Sequence, residues 1–384
     1  MSRTLLAALG DANDIRTWSG TPYYMLQSGK RLGVLDAGLR LSVGGRKEKI
    51  RRTIWNAGQC ARFRGAGGYQ YSQSFLESAW ATAQPEPGDI LLNCFQIYPN
   101  TIYRAHRGRC NFYIDQTLNQ LFSGYGRASQ VSKWQQRRAI SVEQDQYSEA
   151  RSVVTTSRWA AEDLIRNYEI HPDKVHVVLP GANLDHGAYA AWCARQEGRS
   201  ETSEPRSDCI NFVFVGMEVV RKGLDRFLRA LATVPEAGKK WQLTVVGPAV
   251  ADVPHQLRHV PGVTYVGHID KRSEAERFIH LVGSHDVGVL LSTAEASAIA
   301  LREFHALGLA VIGPNVGGCS DCVIPEASWL VAPEASDEEI RSLVVDLLSH
   351  SDRIRQAKAV AWGRRREMHW DCAVTVLGKI LACN

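Results

Sequence analysis

Short apolar runs, each followed by a stretch of helical period, recur along this chain in two blocks. In the first block Thr4–Leu9, Ile90–Asn93, Asn111–Ile114, Val153–Thr155 and Val175–Leu179 read as strands, with helices expected over about 21–33, 73–83, 130–148 and 158–168. In the second, Asn211–Val215, Gln242–Val246, Val263–Val266, Val287–Leu291, Ala310–Ile312 and Trp329–Val331 read as strands, with helices over about 223–234, 272–284, 298–307 and 336–349. Strands that are apolar on both faces, each followed by a helix, imply parallel sheets built through crossover connections. Between the blocks Cys193–Asp208 is polar and has no apolar period, which predicts a linker or exposed loop. The expected division is an N-terminal domain over 1–186, a linker over 187–208, a C-terminal domain over 209–365 and a closing segment over 366–384. The fold class is α/β, two Rossmann-like doubly wound domains facing a cleft, and ligands of such sheets lie beyond the carboxyl ends of the strands.

Composition narrows this picture. The 384 residues are 45% hydrophobic and 22% charged, which supplies two cores and excludes a disordered, collagen-like or coiled-coil chain. No apolar run approaches the ~18–20 residues of a membrane span. The start, Met1-Ser2-Arg3 and then Thr4–Leu9, is too short in its apolar part for a signal peptide. Nine scattered cysteines, an odd number, read as free thiols, so a cytoplasmic location is expected. The net charge of +5 is uneven: residues 1–186 carry 23 Lys and Arg against 16 Asp and Glu, the remainder 22 against 24. Eight of the basic residues fall between Arg40 and Arg64. That density suits phosphate, anionic lipid or an acidic substrate, and equally a solvated helix face. No pattern of a nucleic-acid-binding module accompanies it.

Two segments of the second block carry candidate chemistry. Leu290–Gly318 (LLSTAEASAIALREFHALGLAVIGPNVGG) predicts a strand end, a loop with Glu295, and a helix opening around Ser297 whose apolar stripe is Ala300, Phe304 and Leu307. Glu303 follows Glu295 by eight residues, inside an otherwise apolar helix. The free amides of the first turn, Ser297, Ala298 and Ile299, form an anion seat between the two carboxylates. Phosphate in the middle with hydroxyls at both ends describes a nucleotide sugar; on spacing alone a capping Glu295 and a solvated Glu303 fit as well. Phe212–Leu228 (FVFVGMEVVRKGLDRFL) gives a strand, Gly216, and then Arg221-Lys222-Gly223 opening a helix. Two cations at a helix start make a phosphate clamp.

Together these segments resemble the retaining GT-B enzymes of glycosyltransferase family 4, with Glu-x7-Glu and a glycine-rich return strand. The resemblance implies that Glu303 holds ribose hydroxyls, that Glu295 contacts the donor sugar, and that Arg221, Lys222 and the Ser297–Ile299 amides meet the diphosphate. Ala298 stands where the family usually has glycine. Met217 stands where some members have arginine, so Arg221 is the second cation. In the first block, Gly20 and Thr21 before Pro22 resemble the family's glycine-containing loop on the donor phosphates, and Asp115 stands where many members have histidine. His268 is a candidate for the base pocket. The closing segment resembles the family's C-terminal helix, which crosses back onto the first domain.

The expected activity is therefore transfer of a sugar from a UDP- or GDP-type donor to a glycan, lipid-linked or small hydroxyl acceptor, with Asp115, Glu295, Arg221 and Lys222 as catalytic residues. No metal site and no cofactor are expected, since there is no Asp-x-Asp and cations stand in for the ion. Cys319-x2-Cys322 lacks a second pair and reads as structural thiols. An epimerase acting on sugar nucleotides, or a non-catalytic binder of them, fits the same residues. Lys49–Trp55 predicts a short helix with Ile50 and Ile54 on one face and basic flanks, which makes an anionic membrane surface a candidate partner for residues 40–64.

Overall fold

The computed structural model describes residues 2–42, 44–63, 65–124, 131–198, 209–235 and 240–382. The chain divides into two compact units, Met1–Leu179 with Trp370–Asn384, and Pro180–His369.

The first unit runs β1 (Thr4–Ala7), α1 (Thr21–Arg31), β2 (Ala37–Gly38), α2 (Arg46–Phe63), α3 (Gln73–Trp80), β3 (Ile90–Asn93), α4 (Asn100–Ala105), β4 (Cys110–Ile114), α5 (Leu118–Gly124), α6 (Lys133–Glu149), β5 (Ser152–Thr155), α7 (Arg158–Arg166) and β6 (Val175–Val177). Its six strands pair in the order β2-β1-β3-β4-β5-β6. Every pair is parallel, with Leu5 opposite Leu91 and Phe112 opposite Val153. β4 and β5 are buried at every position, as continuous apolar runs demand. Serine side chains cap α3, α6 and α7: Ser72 accepts from the Phe75 N–H, Ser132 from Gln135 and Ser157 from Ala160.

The second unit runs α8 (His186–Glu197), β7 (Cys209–Val215), α9 (Leu224–Leu231), β8 (Lys240–Val246), β9 (Val263–Gly267), α10 (Ala275–Gly283), β10 (Val287–Val289), α11 (Ile299–Ala306), β11 (Ala310–Pro314), β12 (Ser328–Val331), α12 (Asp337–Ser349) and α13 (Ser351–Arg364). Its strand order is β12-β11-β10-β7-β8-β9, again all parallel. The chain moves outward from β7 to β9, then returns to lay β10 against the other side of β7. This reversal makes a topological switch point at the carboxyl ends of β7 and β10. Phe212, Phe214, Phe227 and Phe304 fill the core there.

The last helix, α14 (Trp370–Ala382), belongs to the first unit. Trp370, Val374, Leu377 and Leu381 share a core with Met25 and Leu26 of α1, and Arg151 donates to the Leu381 carbonyl at 2.9 Å.

Several elements depart from the sequence reading. Residues 187–197 of the expected linker are not linker but part of α8, whose Ala188, Tyr189 and Trp192 are buried, and Gly198 caps it; the remaining 199–208 lie outside the described residues. α2 extends over 18 residues where a short helix over Lys49–Trp55 was expected. Only Gln59 of α2 is buried, so no inward apolar stripe marks its length. β2, with two residues, is too short to leave a periodic signal.

Candidate active site

After β7 the chain passes Gly216 and turns through Arg221-Lys222-Gly223 into α9. This turn is stitched to the segment after β10: the Leu291 N–H donates to the Lys222 carbonyl and the Thr293 N–H to that of Arg221, both at 3.0 Å. Gly223 has φ +73°, and a Cβ there would lie 2.1 Å from the Leu291 carbonyl oxygen, so only glycine permits the stitch. The two loops thereby bring three charged side chains together. Glu295 Oε2 accepts from Lys222 Nζ at 2.5 Å, Arg221 Nη1 at 3.2 Å and Ser292 Oγ at 3.3 Å. Arg221 also reaches the Ala294 carbonyl at 3.2 Å and pairs with Glu218. Side-chain exposures of 18% for Lys222, 30% for Arg221 and 12% for Glu295 leave the cluster within reach of a ligand. Gly317, at φ +54°, presses on this loop from behind; a Cβ there would be 1.9 Å from the Glu295 carbonyl oxygen. Met217, where a cation was looked for, is an exposed apolar side chain.

α11 begins at Ile299, two residues later than Ser297, with Ala298 at its N-cap and no side chain capping it. Ser297 Oγ lies 3.5 Å from Cys322 Sγ, and the Ala298 N–H is directed to the same thiol. Cys319 and Cys322 are buried free thiols, and burial pushes both toward the protonated form. On the inner face of α11, Glu303 is buried and accepts from Lys271 Nζ at 2.5 Å. Burial raises its carboxyl above the ordinary value; Lys271, the Asn183 N–H and Lys222 work against that rise. Lys271 stands in the loop after β9, three residues past the exposed His268. The sequence reading missed this lysine, since a single Lys in a polar loop has no spacing that points at Glu303.

In the first unit the expected residues also follow strand ends. Beyond β1, three consecutive residues are left-handed: Trp18 at φ 43°, Ser19 at 55° and Gly20 at 88°. The first two are non-glycine residues in a sparsely populated region, a local strain of the kind concentrated at ligand loops. α1 follows directly, with Thr21 buried and Pro22 in its first turn. Asp115, half-buried, directly follows β4. The loop it opens is held from below by Glu143, another residue without a sequence signal. The buried Glu143 accepts the Leu118 N–H on both oxygens, at 3.1 and 3.0 Å, the Tyr147 hydroxyl at 2.9 Å and the Tyr168 hydroxyl. Burial pushes its carboxyl up to about 8. His106 is buried against the carbonyls of Ile102 and Glu86, away from the strand ends.

Residues 210–350, most of the second unit, match the family model described as glycosyl transferases group 1. Among relatives, the D-inositol 3-phosphate glycosyltransferase of Xylanimonas cellulosilytica is 26% identical over 239 residues, 60% of this chain and 56% of that protein. The chain thus spans a little over half the length of such relatives. Two solved structures share the whole fold. Sucrose-phosphate synthase from Thermosynechococcus elongatus superposes with a TM-score of 0.65 at 18% identity, covering 98% of each chain. Anabaena HepE in complex with UDP and glucose gives 0.66 at 13% identity, covering all of both. The fold is accordingly that of the GT-B glycosyltransferases, two Rossmann-like units in one chain.

Proposed function

We propose that this chain is a retaining glycosyltransferase that moves a sugar from a nucleoside-diphosphate sugar, of UDP or GDP type, to a hydroxyl acceptor. The observation that carries the reading is the convergence of Arg221, Lys222 and Glu295 at the β7/β10 switch point, with Glu303 eight residues on. In this reading Arg221 and Lys222, together with amides around Ile299, bind the diphosphate and stabilise the charge it gains as the bond to the sugar breaks. Glu295 turns from the cations toward sugar hydroxyls, and Glu303 accepts from the ribose. The acceptor oxygen bonds to the anomeric carbon on the face the diphosphate leaves, and its proton passes to a leaving phosphate oxygen. Gly20 and Thr21 are assigned to the donor phosphates, and Asp115 to the reacting sugar and acceptor. His268 is assigned to the base.

Because two side-chain cations supply the counter-charge, activity is expected to survive EDTA. Nucleoside diphosphate release from UDP-, GDP-, ADP- and dTDP-sugars, with the anomeric configuration of the product read by NMR, tests the assignment. An inverted product removes the retaining mechanism, an epimerised donor selects an epimerase, and binding without turnover selects a non-catalytic binder.

The acceptor side of the proposal is a lipid-linked glycan at an anionic, cytoplasmic membrane face, reached through α2. Ile50, Ile54, Ala57 and Ala61 form an outward stripe on this helix, with Ile50 52% and Ile54 67% exposed. Arg46, Lys47 and Lys49 flank it, whereas the helix's one acid, Glu48, faces inward, where it accepts from Ser78 Oγ at 3.3 Å and pairs with Arg51. Such a helix lies in the plane of an anionic interface, at ~1 kcal/mol per basic residue near the surface. No helix among the described residues is long and apolar enough to cross a membrane. Flotation with phosphatidylserine vesicles should recover the protein, and high salt or Lys47→Glu with Ile54→Glu should release it. Equal recovery with neutral vesicles leaves α2 without this role.

A further inference from the structure

We infer that Lys271 is a positioning residue for the nucleotide: it holds Glu303 charged and aimed as a double acceptor for the ribose hydroxyls. The inference rests on the ribose role given to Glu303 above. It starts from how the ammonium is enclosed. Lys271 Nζ is 2.5 Å from Glu303 Oε1, 3.5 Å from the Asn183 carbonyl and 4.1 Å from the centroid of the Phe278 ring. Asn183 serves both partners, its carbonyl accepting from Lys271 while its N–H is directed to Glu303. Phe278, buried on α10, contributes a π face that attracts the cation without competing for the carboxylate. The lysine is thus fixed on three sides, and its side chain keeps 26% exposure where Glu303 keeps 4%.

A carboxylate has about four acceptor positions on its two oxygens. Lys271 and the Asn183 N–H occupy one each, which leaves capacity for two hydroxyls. A buried ion pair is not by itself a gain in stability, because desolvation offsets the attraction. Hydroxyl recognition, in contrast, needs an acceptor, and a protonated carboxyl would spend part of its acceptor capacity on its own O–H. The groups facing Glu303 from the surrounding elements are few. The loop after β9 contributes Lys271, the β7–α9 turn contributes Lys222 at longer range, the segment before α8 contributes only the uncharged Asn183 backbone, and α10 contributes Phe278. With Lys271 removed, burial of Glu303 is opposed chiefly by an amide and a distant cation, so Glu303 takes up a proton at higher pH than in the wild type.

The test measures affinity for UDP, GDP and ADP across pH 5.5 to 9 by calorimetry, using the full chain and the nucleotide that binds it most tightly. Lys271→Met is expected to weaken binding about tenfold or more at the acid end, a loss that shrinks toward pH 9 as Glu303 ionises. Lys271→Arg should restore the wild-type profile. If Lys271→Met does not fold, the double variant Lys271→Met with Glu303→Gln, which leaves no unpaired charge, replaces it. It should bind as weakly as Glu303→Gln alone at every pH, and a further loss beyond Glu303→Gln would overturn the inference. A Lys271→Met profile parallel to the wild type overturns the inference while leaving the ribose assignment standing, provided Glu303→Ala raises the donor KM with little change in kcat. Unchanged affinity in Glu303→Ala, or no binding of any of the three nucleotides to the wild type, overturns the ribose assignment and this inference with it.

Discussion

Each unit buries a carboxylate on a helix that flanks its sheet, and the two are satisfied by different chemistry. Glu143 in the first unit meets neutral donors, one backbone N–H and two tyrosine hydroxyls. Glu303 in the second meets an ammonium group at 2.5 Å, with Lys222 further off. Hydrogen bonds from neutral donors and the field of a cation both favour the charged carboxylate, and burial opposes both. Burial raises both carboxyls, that of Glu143 up to about 8, and Glu143 pins the start of α5 beneath the Asp115 loop. The same contrast holds at the strand ends. The second unit gathers Arg221, Lys222 and Glu295 in one cluster, whereas the first unit presents strained backbone at Trp18–Gly20 and one half-buried acid at Asp115. The charged cluster lies in the second unit, and the strained backbone in the first.

Substitutions in the second unit should therefore have the larger effects. Lys222→Ala and Arg221→Ala are each expected to lower turnover by ~10²–10³, the range for losing one preorganised charge stabiliser, in steady-state assays with the donor that the nucleotide-sugar screen selects. Activity within a few-fold of wild type for both would erase the distinction between the units.

Gly317→Ala comes next. A Cβ 1.9 Å from the Glu295 carbonyl, on a left-handed residue, should cost about 2–4 kcal/mol in chemical denaturation. Gly363, in α13 with open space around it, is the control: Gly363→Ala should stabilise by about 0.5–1 kcal/mol.

Glu143 gives a test of the first unit that depends on pH. Its folded carboxyl titrates near 8 against an ordinary value of 4.5, so between those values the folded state holds a proton that the unfolded chain has lost. Wild-type stability should then fall as pH rises through that window, by at most about 1.4 kcal/mol per pH unit from this group. Urea midpoints for Glu143→Gln at pH 5.5, 7 and 8.5 should show a flatter decline. A decline as steep as that of the wild type would place the titrating group elsewhere.

The parts legible in the sequence are those that repeat a local rule. Apolar strands followed by helices reported both sheets, and Arg221-Lys222-Gly223 with Glu-x7-Glu reported the cluster at the switch point, because each motif sits at the end of an apolar run. The residues that escaped act across long separations from positions with no local signature. Lys271 reaches Glu303 over 32 residues, and Tyr168 reaches Glu143 over 25. α2 escaped in most of its length for the opposite reason: Ile50, Ile54, Ala57 and Ala61 face outward while Trp55 packs inward, so apolar period and burial do not coincide.

The central claim is that Arg221 and Lys222 seat a diphosphate. It is tested most directly by comparing affinities for a nucleoside diphosphate and the matching monophosphate. Wild type should prefer the diphosphate by about 10²-fold, the scale of two charge-assisted hydrogen bonds to the extra phosphate. The Arg221→Ala, Lys222→Ala double variant should lose most of that preference while binding the monophosphate nearly as well. An unchanged ratio in the double variant would contradict the account.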